Sequence, residues 1–226
     1  MLPHKVQIRD WLSGSENDDG LRLTKVHRLL VRRGIEVPYS SLHRFAAKHS
    51  EFGKGRITVR CAPCQPGELT EIDFGRLGYI VDPETLRRQL VWALVVVLVY
   101  SRHMYVHVTH RQRLEDIIDG LEAAWDFFGG VSARVILDNV KSAITKPDRY
   151  DPFFQRIFND YAGYRGFVID PAVVRHPTGK PHVERQVPYV RDNFFRGETF
   201  LDLDHVQRDA IRWCLETAGT RVHGTT

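Results

Sequence analysis

The stretch L-V-W-A-L-V-V-V-L-V-Y, residues 90–100, is the longest apolar run in this chain of 226 residues. A helix needs about 20 residues to cross a bilayer, so a run of this length is too short for one. Its valines favour a strand. A strand that is apolar on both faces is typical of the centre of a sheet covered on both sides. The sequence therefore predicts a buried central strand within Leu86 to Val99.

The patterns on either side of this run predict a mixed five-stranded sheet flanked by helices, an α/β fold. Asp82 and Pro83 indicate a turn before the central strand, and residues 100–103 can form a tight hairpin connection after it. Pro188 is expected to kink or restart the last helix. The predicted strands are 69–74, 86–99, 104–109, 134–137 and 167–169, and the predicted helices are 114–128, 152–161 and 179–196.

Two short helices are predicted near the N-terminus. The first covers residues 21–33, with Thr24 as its N-cap and Gly34 ending it, and the second runs from Pro38 to Lys48. This pattern fits a helix-turn-helix whose second helix enters a major groove, and an ordinary helical hairpin is the alternative. The second helix displays polar side chains for such a contact: Tyr39, Ser40, Ser41, His43, Arg44 and Lys48.

Charge is distributed unevenly along the chain. Residues 1–60 hold 12 Lys and Arg against six Asp and Glu, whereas the remainder holds 20 against 22. A basic segment of this kind is typical of a nucleic-acid anchor, because cations displace counterions from phosphates, although a basic solvated face has the same composition. We predict a DNA-binding region over 1–50, a linker over 51–68, a catalytic core over 69–200 and a C-terminal helix over 201–226.

The sequence lacks the motifs of several classes of protein. No secretory signal or membrane span is recognisable, so a cytoplasmic protein with no membrane partner is expected. Cys61 and Cys64 form one C-x-x-C, but no second Cys or His pair completes a zinc site, and with Cys214 they give no disulfide framework. No G-x-x-x-x-G-K-[ST] loop is present, so any dependence on ATP would come from a partner.

Three carboxylates stand at the positions that a metal site needs. Asp73 lies in the first strand, Asp138 follows the strand that ends at Leu137, and Glu184 lies in the last core helix. Such positions can converge on one edge of a mixed sheet. Carboxylates bind hard cations such as Mg²⁺ or Mn²⁺, and two ions can promote phosphodiester displacement. Capping by Asp138 and a solvated surface role for Glu184 are the alternatives.

Three segments in this order resemble the DDE motifs of IstA-type insertion-sequence transposases. They are G-E-L-T-E-I-D-F-G at 67–75, V-I-L-D-N-V-K-S-A at 135–143 and G-K-P-H-V-E-R-Q-V at 179–187. Trp213 and T-R-V-H-G-T-T at 220–226 are similar to the segment that closes that family's integrase core. The resemblance extends over roughly residues 20–226.

This resemblance implies an RNase H-like integrase core with Asp73, Asp138 and Glu184 as its metal-binding triad. It also implies DNA end cleavage and strand transfer, multimers on paired DNA ends, and an AAA+ ATPase helper of the IstB type. The family normally continues into a largely β C-terminal domain, so a truncated copy that only binds DNA is an alternative. A nuclease that hydrolyses without joining is another.

Basic residues near the triad are candidate DNA contacts. Lys180 precedes Glu184 by four residues, which places both on one side of a continuous helix, where a surface ion pair is the competing interpretation. His182 and Arg185 face other sides of that helix, and Arg185 suits a phosphate contact. Lys141, close after Asp138, either contacts DNA or lies in a capped turn.

Overall fold

The computed structural model describes residues 4–13, 20–49, 64–137, 152–171 and 186–221. The chain divides by internal contacts into two units. The first consists of residues 1–58 and 189–198, and the second of residues 59–188 and 199–226. The predicted core range, 69–200, thus contains a segment that groups with the N-terminal unit.

The second unit is built on a five-stranded mixed sheet in the order β3-β2-β1-β4-β5. The first three strands pair antiparallel, and β4 and β5 join the sheet by parallel pairing. The predicted α/β fold with a mixed five-stranded sheet is confirmed. The strands are β1 Leu69–Val81, β2 Arg88–Leu98, β3 Met104–Thr109, β4 Arg134–Leu137 and β5 Val168–Pro171.

The first strand is longer than predicted. It continues from Phe74 to Val81 because β2 pairs with it along its whole length, through a bulge between Arg76 and Gly78. The predicted turn at Asp82 is present, and its carboxylate accepts hydrogen bonds from the backbone N–H groups of residues 84 and 85 at 3.0 and 2.8 Å. These bonds lower the pKa of Asp82.

Helices α4, Leu114–Phe128, and α5, Pro152–Arg165, supply side chains to the main apolar core together with the sheet. The helix α4 has the predicted bounds and ends at Gly129, whose φ of 74° is the left-handed conformation that glycine favours. The helix α5 extends beyond the predicted Tyr161. The Trp125 indole N–H donates to the Tyr161 hydroxyl at 3.1 Å. The two helices therefore share an apolar contact that includes a partly buried hydrogen bond.

Helix α7 covers the outer edge of the sheet. It spans Leu203–Trp213 and ends in a π turn, Cys214–Ala218. The preceding helix, α6, covers Gln186–Val190. Its Gln207 side chain accepts from the Val108 N–H at 2.8 Å and donates to the Val106 carbonyl at 2.9 Å. An edge strand with exposed backbone groups is prone to pair with other chains, and Gln207 satisfies two of those groups.

The first unit contains three helices, α1 Lys5–Ser13, α2 Leu23–Arg32 and α3 Tyr39–His49. The helix α1 was not predicted, and its Ile8 is buried against the apolar faces of α2 and α3. Gly34 ends α2 as predicted, with φ of 74°. The N-cap assigned to Thr24 is wrong: the cap is Arg22, and the Thr24 hydroxyl instead donates to the Asn193 side chain at 2.8 Å.

Residues 189–198 pack against α2 through buried ionic groups. A π turn, Arg191–Phe195, follows α6, which runs through Pro188 without ending there. The carboxylate of Asp192, whose side chain is 9% exposed, accepts from the Nε atoms of Arg22 and Arg191 at 3.2 and 3.1 Å. Arg196 Nη1 lies 3.5 Å from the same carboxylate.

A second ionic group in this unit is centred on Lys25. Its side chain is 2% exposed, and Nζ donates to the Phe194 carbonyl at 2.9 Å and to Glu198 Oε1 at 2.5 Å. Arg32 Nη1 also binds Glu198, at 2.7 Å. Burial lowers the pKa of Lys25, and the Glu198 hydrogen bond opposes that shift. Charged groups therefore hold residues 189–198 to α2. These groups are far apart in the sequence, so no local pattern predicts that they pair.

Among the described residues, no helix combines the length and apolar character needed to span a membrane.

Candidate active site

Asp73 lies inside β1, between two core residues. Its neighbours Ile72 and Phe74 belong to the main apolar core, and strand alternation places Asp73 on the opposite face of the sheet. The residue is only 4% exposed. Burial of a carboxylate is costly unless charges or hydrogen bonds compensate for lost hydration, which distinguishes Asp73 from a solvated surface acid.

The pairing of β1 with β4 sets the position next to Asp73. These strands are parallel, and their last registered pair is Ile72 with Leu137. Asp73 is the next residue along β1, and Asp138 is the next residue in the sequence after Leu137. Neighbouring strands lie about 4.8 Å apart. The register therefore brings the residues that precede the two aspartates side by side.

Gly75 lies on the same face of β1 as Asp73 and accommodates a helix. A Cβ placed on Gly75 would lie 2.7 Å from Val187 Cγ1 and 3.2 Å from Val187 Cβ. These distances are shorter than ordinary carbon contacts of about 3.5–4.0 Å. The absence of a side chain at Gly75 thus allows the start of α6 to approach the strand two residues beyond Asp73.

Glu71 is a buried acid that the sequence interpretation did not single out. It lies two residues before Asp73, and therefore on the same face of β1, and is 8% exposed. The pattern E-x-D within a predicted strand is the sequence signal that could have identified Glu71. Two buried acidic side chains therefore lie on one face of this part of the strand.

Half of the predicted site residues lie outside the described part of the chain. This applies to the triad members Asp138 and Glu184 and to the DNA-contact candidates Lys141, Lys180 and Arg185. Asp73 is the triad member that the structure describes. In the described ranges, no group of three or more His, Cys, Asp or Glu side chains is placed to hold a metal ion.

The predicted DNA-contact residues of α3 lie on its outer side. His43, Arg44 and Lys48 are exposed and Ser41 is partly exposed, whereas Leu42 is buried in the core of the first unit. The Arg44 guanidinium lies 3.5 Å from the Ser41 hydroxyl. The helix therefore presents a polar, basic side to solvent.

Two histidines of the sheet lie away from Asp73. His103 precedes β3 and His107 lies within it, and β2 separates β3 from β1. Burial lowers the pKa of both imidazoles, which favours their neutral forms. His107 pairs with Leu94 and contacts the position of Gly120 on α4, on the face opposite Asp73. Neither is placed to act as a base beside that carboxylate.

Several proteins named as transposases are similar in sequence to this chain. A Mycobacterium tuberculosis protein is 40% identical over 200 residues, which are 88% of this chain and 49% of that protein. The transposase for insertion sequence element IS21 of Pseudomonas aeruginosa is 30% identical over 158 residues, which are 70% of this chain and 40% of that protein. The chain thus spans about half, or less, of these relatives. No model of a known protein family matches it.

Solved structures of viral integrases are also similar. One is the simian T-cell lymphotropic virus intasome in complex with the PP2A regulatory subunit B56 gamma, with a TM-score of 0.48 and 14% identity over 90% of this chain and 71% of that chain. Another is the HTLV-2 integrase catalytic core domain in complex with magnesium, with a TM-score of 0.43 and 16% identity over 71% of this chain and 91% of that chain.

Proposed function

Since the chain is a relative of the transposases of IS21-type insertion sequences, we propose that it carries out metal-dependent DNA end cleavage and strand transfer in transposition. Asp73, Asp138 and Glu184 are the proposed catalytic carboxylates. The reaction class is phosphodiester displacement by water in cleavage and by a DNA 3′-hydroxyl in joining.

The observation that carries this proposal is the register of β1 with β4. The pairing of Ile72 with Leu137 supports adjacent positions for Asp73 and Asp138. Both Ile72 and Leu137 belong to the main core, so the next residue of each strand falls on the other face if the alternation continues. Two acids from distant parts of the sequence would then share one face of the sheet.

The contact between Gly75 and Val187 supports the third carboxylate. Val187, the second residue of α6, lies against the same face of β1 that carries Asp73. Glu184 precedes Val187 by three residues, which is close to one helical turn. If α6 extends back to residue 184, Glu184 faces the same side of the helix as Val187. Lys180, one further turn back, is a proposed phosphate contact.

The donor set fits Mg²⁺ or Mn²⁺. Carboxylate oxygens are the ligands that hard divalent cations prefer, and Asp73 is buried as such a ligand would be. Two such ions, when bound by the three carboxylates, would lower the barrier to in-line displacement at the phosphodiester.

The first unit is the proposed DNA-binding region. The exposed side of α3, with His43, Arg44 and Lys48, has the charge and position of a major-groove helix. Lys141 and Arg185 are further proposed phosphate contacts. By resemblance, the protein also acts as an oligomer on paired DNA ends and with an AAA+ ATPase helper of the IstB type.

The decisive experiment is an end-cleavage and joining assay on a labelled oligonucleotide that contains an element end. Activity should require Mg²⁺ or Mn²⁺. The variants Asp73→Asn and Asp138→Asn should each abolish it, because the amide removes a charged ligand without changing side-chain size. The matched control is Asp126→Asn, since Asp126 is exposed at the end of α4, and it should retain activity. The assay is run with and without a candidate ATPase.

The outcomes separate the possible activities. Metal-dependent cleavage that survives Asp73→Asn would contradict the assigned site. Hydrolysis without joined products would indicate a nuclease. DNA binding without cleavage by the unaltered chain, at any concentration of either metal and with the ATPase present, would favour a protein that only binds DNA.

A further inference from the structure

The two longest strands continue beyond the rest of the sheet. Among the described residues, the pairing of β4 with β1 covers Leu69–Ile72 of β1, and that of β3 with β2 covers Trp92–Val97 of β2. Residues 78–81 and 88–91 are therefore paired only with each other among the described strands. This two-stranded ribbon extends β1 past Asp73, beyond the last described pair of β1 with β4.

One face of the ribbon carries an aromatic ring with two arginines. The guanidinium carbons of Arg76 and Arg88 lie 4.7 and 4.5 Å from the centroid of the Tyr79 ring. The bulge between Arg76 and Gly78 makes this possible, because it returns Tyr79 to the face that Arg76 occupies. Tyr79 is 41% exposed. We refer to Arg76, Tyr79 and Arg88 as the ribbon cluster.

The two positive charges of the ribbon cluster lack a neutralising acid in the described ranges. No described carboxylate forms an ion pair with Arg76 or Arg88, so two like charges share one ring. The carboxylate of the nearby Asp82 accepts hydrogen bonds from backbone N–H groups of the turn. It also accepts one from Gln89 Nε2 at 2.8 Å. Glu84 is the other acid of the turn, and Arg87 adds a further positive charge. Such an arrangement attracts an anion.

The geometry of the cluster favours phosphate groups as that anion. A guanidinium presents a planar set of donors that match phosphate oxygens, and the Tyr79 ring restricts the orientation of both guanidiniums through cation–π contacts. Pre-orientation lowers the entropy that each arginine loses on binding. Two such groups on one exposed ribbon suit a polymer with regularly spaced phosphates.

Distance along the strand relates the ribbon cluster to Asp73. At about 3.3 Å per residue, Arg76 is about 10 Å and Tyr79 about 20 Å from Asp73 along β1. Asp73 lies on the opposite face of the strand from Tyr79, so the cluster is not placed to contact the reacting phosphodiester. Contact with the cluster therefore requires nucleotides that flank those held at Asp73.

We propose that Arg76, Tyr79 and Arg88 form a binding site for the phosphate backbone of DNA flanking the reaction site. This inference rests on the proposed function, since it requires DNA as substrate. Arg76 and Arg88 bind phosphates, and Tyr79 positions them. The site contributes to DNA affinity and leaves the chemical step to the carboxylates.

The test is DNA binding by fluorescence anisotropy as a function of salt, using a labelled duplex with an element end and the full chain in Ca²⁺ buffer to suppress cleavage. Arg76→Gln and Arg88→Gln should each weaken binding roughly tenfold. Each should also reduce the slope of log affinity against log salt by about 1. The matched control is Arg208→Gln, an exposed arginine of α7, which should keep the slope of the unaltered chain.

Two tyrosine variants test the positioning role. Tyr79→Phe retains the aromatic face and should bind DNA like the unaltered chain, whereas Tyr79→Ala should weaken binding because the arginines lose their common support. In the cleavage assay, the arginine variants should raise KM with little change in kcat. Thermal unfolding of every variant establishes that the fold is retained.

The results distinguish this inference from the proposed function. If the unaltered chain binds and cleaves DNA while Arg76→Gln and Arg88→Gln retain its affinity and salt slope, the ribbon site is refuted and the catalytic proposal stands. If Asp73→Asn still cleaves DNA, the catalytic proposal fails, and a lowered affinity of the arginine variants would still support the ribbon site. If the unaltered chain binds no DNA, both fail.

Discussion

The close packing of Gly75 against Val187 leads to a specific prediction for Gly75→Ala. The new methyl carbon would lie 2.7 Å from Val187 Cγ1 and 3.2 Å from both Cβ and Cγ2. Ordinary contact needs about 3.5–4.0 Å, so Val187 must withdraw by roughly 0.8–1.3 Å. Valine in a helix has one strongly preferred rotamer, so the backbone of α6 has to move.

The expected loss of stability combines two opposing effects. Overpacking of a buried contact costs about 1–3 kcal/mol. Alanine offsets part of this, because glycine within a strand is less stable than alanine by about 0.5–1 kcal/mol. The net destabilisation of the second unit should thus be roughly 0.5–2 kcal/mol. Because α6 begins close after Glu184, DNA cleavage should fall by more than the loss of folded protein explains.

A double-mutant cycle provides the assay. Val187→Ala alone removes buried methyl groups and should destabilise the protein by about 1–2 kcal/mol. In Gly75→Ala/Val187→Ala both methyl groups of the valine are gone, including the one at 2.7 Å, and only the Cβ contact of 3.2 Å remains. The double variant should therefore be more stable than the sum of the single effects by about 1 kcal/mol. Urea denaturation followed by tryptophan fluorescence reports mainly the second unit, which contains Trp92, Trp125 and Trp213.

If the effects of the two single substitutions on the free energy of unfolding are additive, this reasoning is refuted. Additivity would mean that the two side chains do not compete for one space. Wild-type cleavage by Gly75→Ala, together with an unchanged free energy of unfolding, would show that α6 does not need its close approach to β1. A useful comparison is Gly130→Ala, because a Cβ at Gly130 would meet nothing within 4 Å. That variant should leave both measurements nearly unchanged.

Three further predictions concern ionic groups, a buried thiol and the edge of the sheet. Burial raises the pKa of Cys214 from 9.0 to about 12, so the thiol stabilises the fold below pH 9 and this contribution is lost as pH rises toward 12. Between pH 7 and 10 the free energy of unfolding should fall by about 1.4 kcal/mol because of this thiol. Measured by urea denaturation, the decrease in Cys214→Ala should be smaller than in the unaltered chain by that amount. Equal decreases in the two proteins would contradict this assignment. Asp192→Asn removes the carboxylate that binds Arg22 and Arg196 and should destabilise the first unit by about 3 kcal/mol, measured by circular dichroism; an unchanged melting temperature would argue against it. Gln207→Ala leaves the edge of β3 without two hydrogen bonds and should cost about 1–3 kcal/mol, with more aggregation by light scattering; equal stability and solubility would show that water replaces the side chain.

Local patterns predicted much of the fold. The apolar run of residues 90–100 identified β2, an interior strand, because burial on both faces requires apolar side chains at consecutive positions. The centre of the sheet is occupied by β1. The helix Leu114–Phe128 was predicted with its observed bounds, since its apolar period and the glycine after it are both local signals. The full length of β1 was not predicted, because residues 75–81 are held in the strand by their pairing with β2.

The candidate site was predicted only as a set of residue types in a particular order. The sequence by itself determined that Asp73 sits within an apolar strand and that Asp138 follows another, because these features depend on adjacent residues. Only the tertiary structure decided that Ile72 and Leu137 are registered neighbours and that Gly75 admits Val187. It also decided that Lys25 and Glu198 meet in the first unit. These contacts join residues between 65 and 173 positions apart, where neither helical nor strand periodicity relates one residue to another.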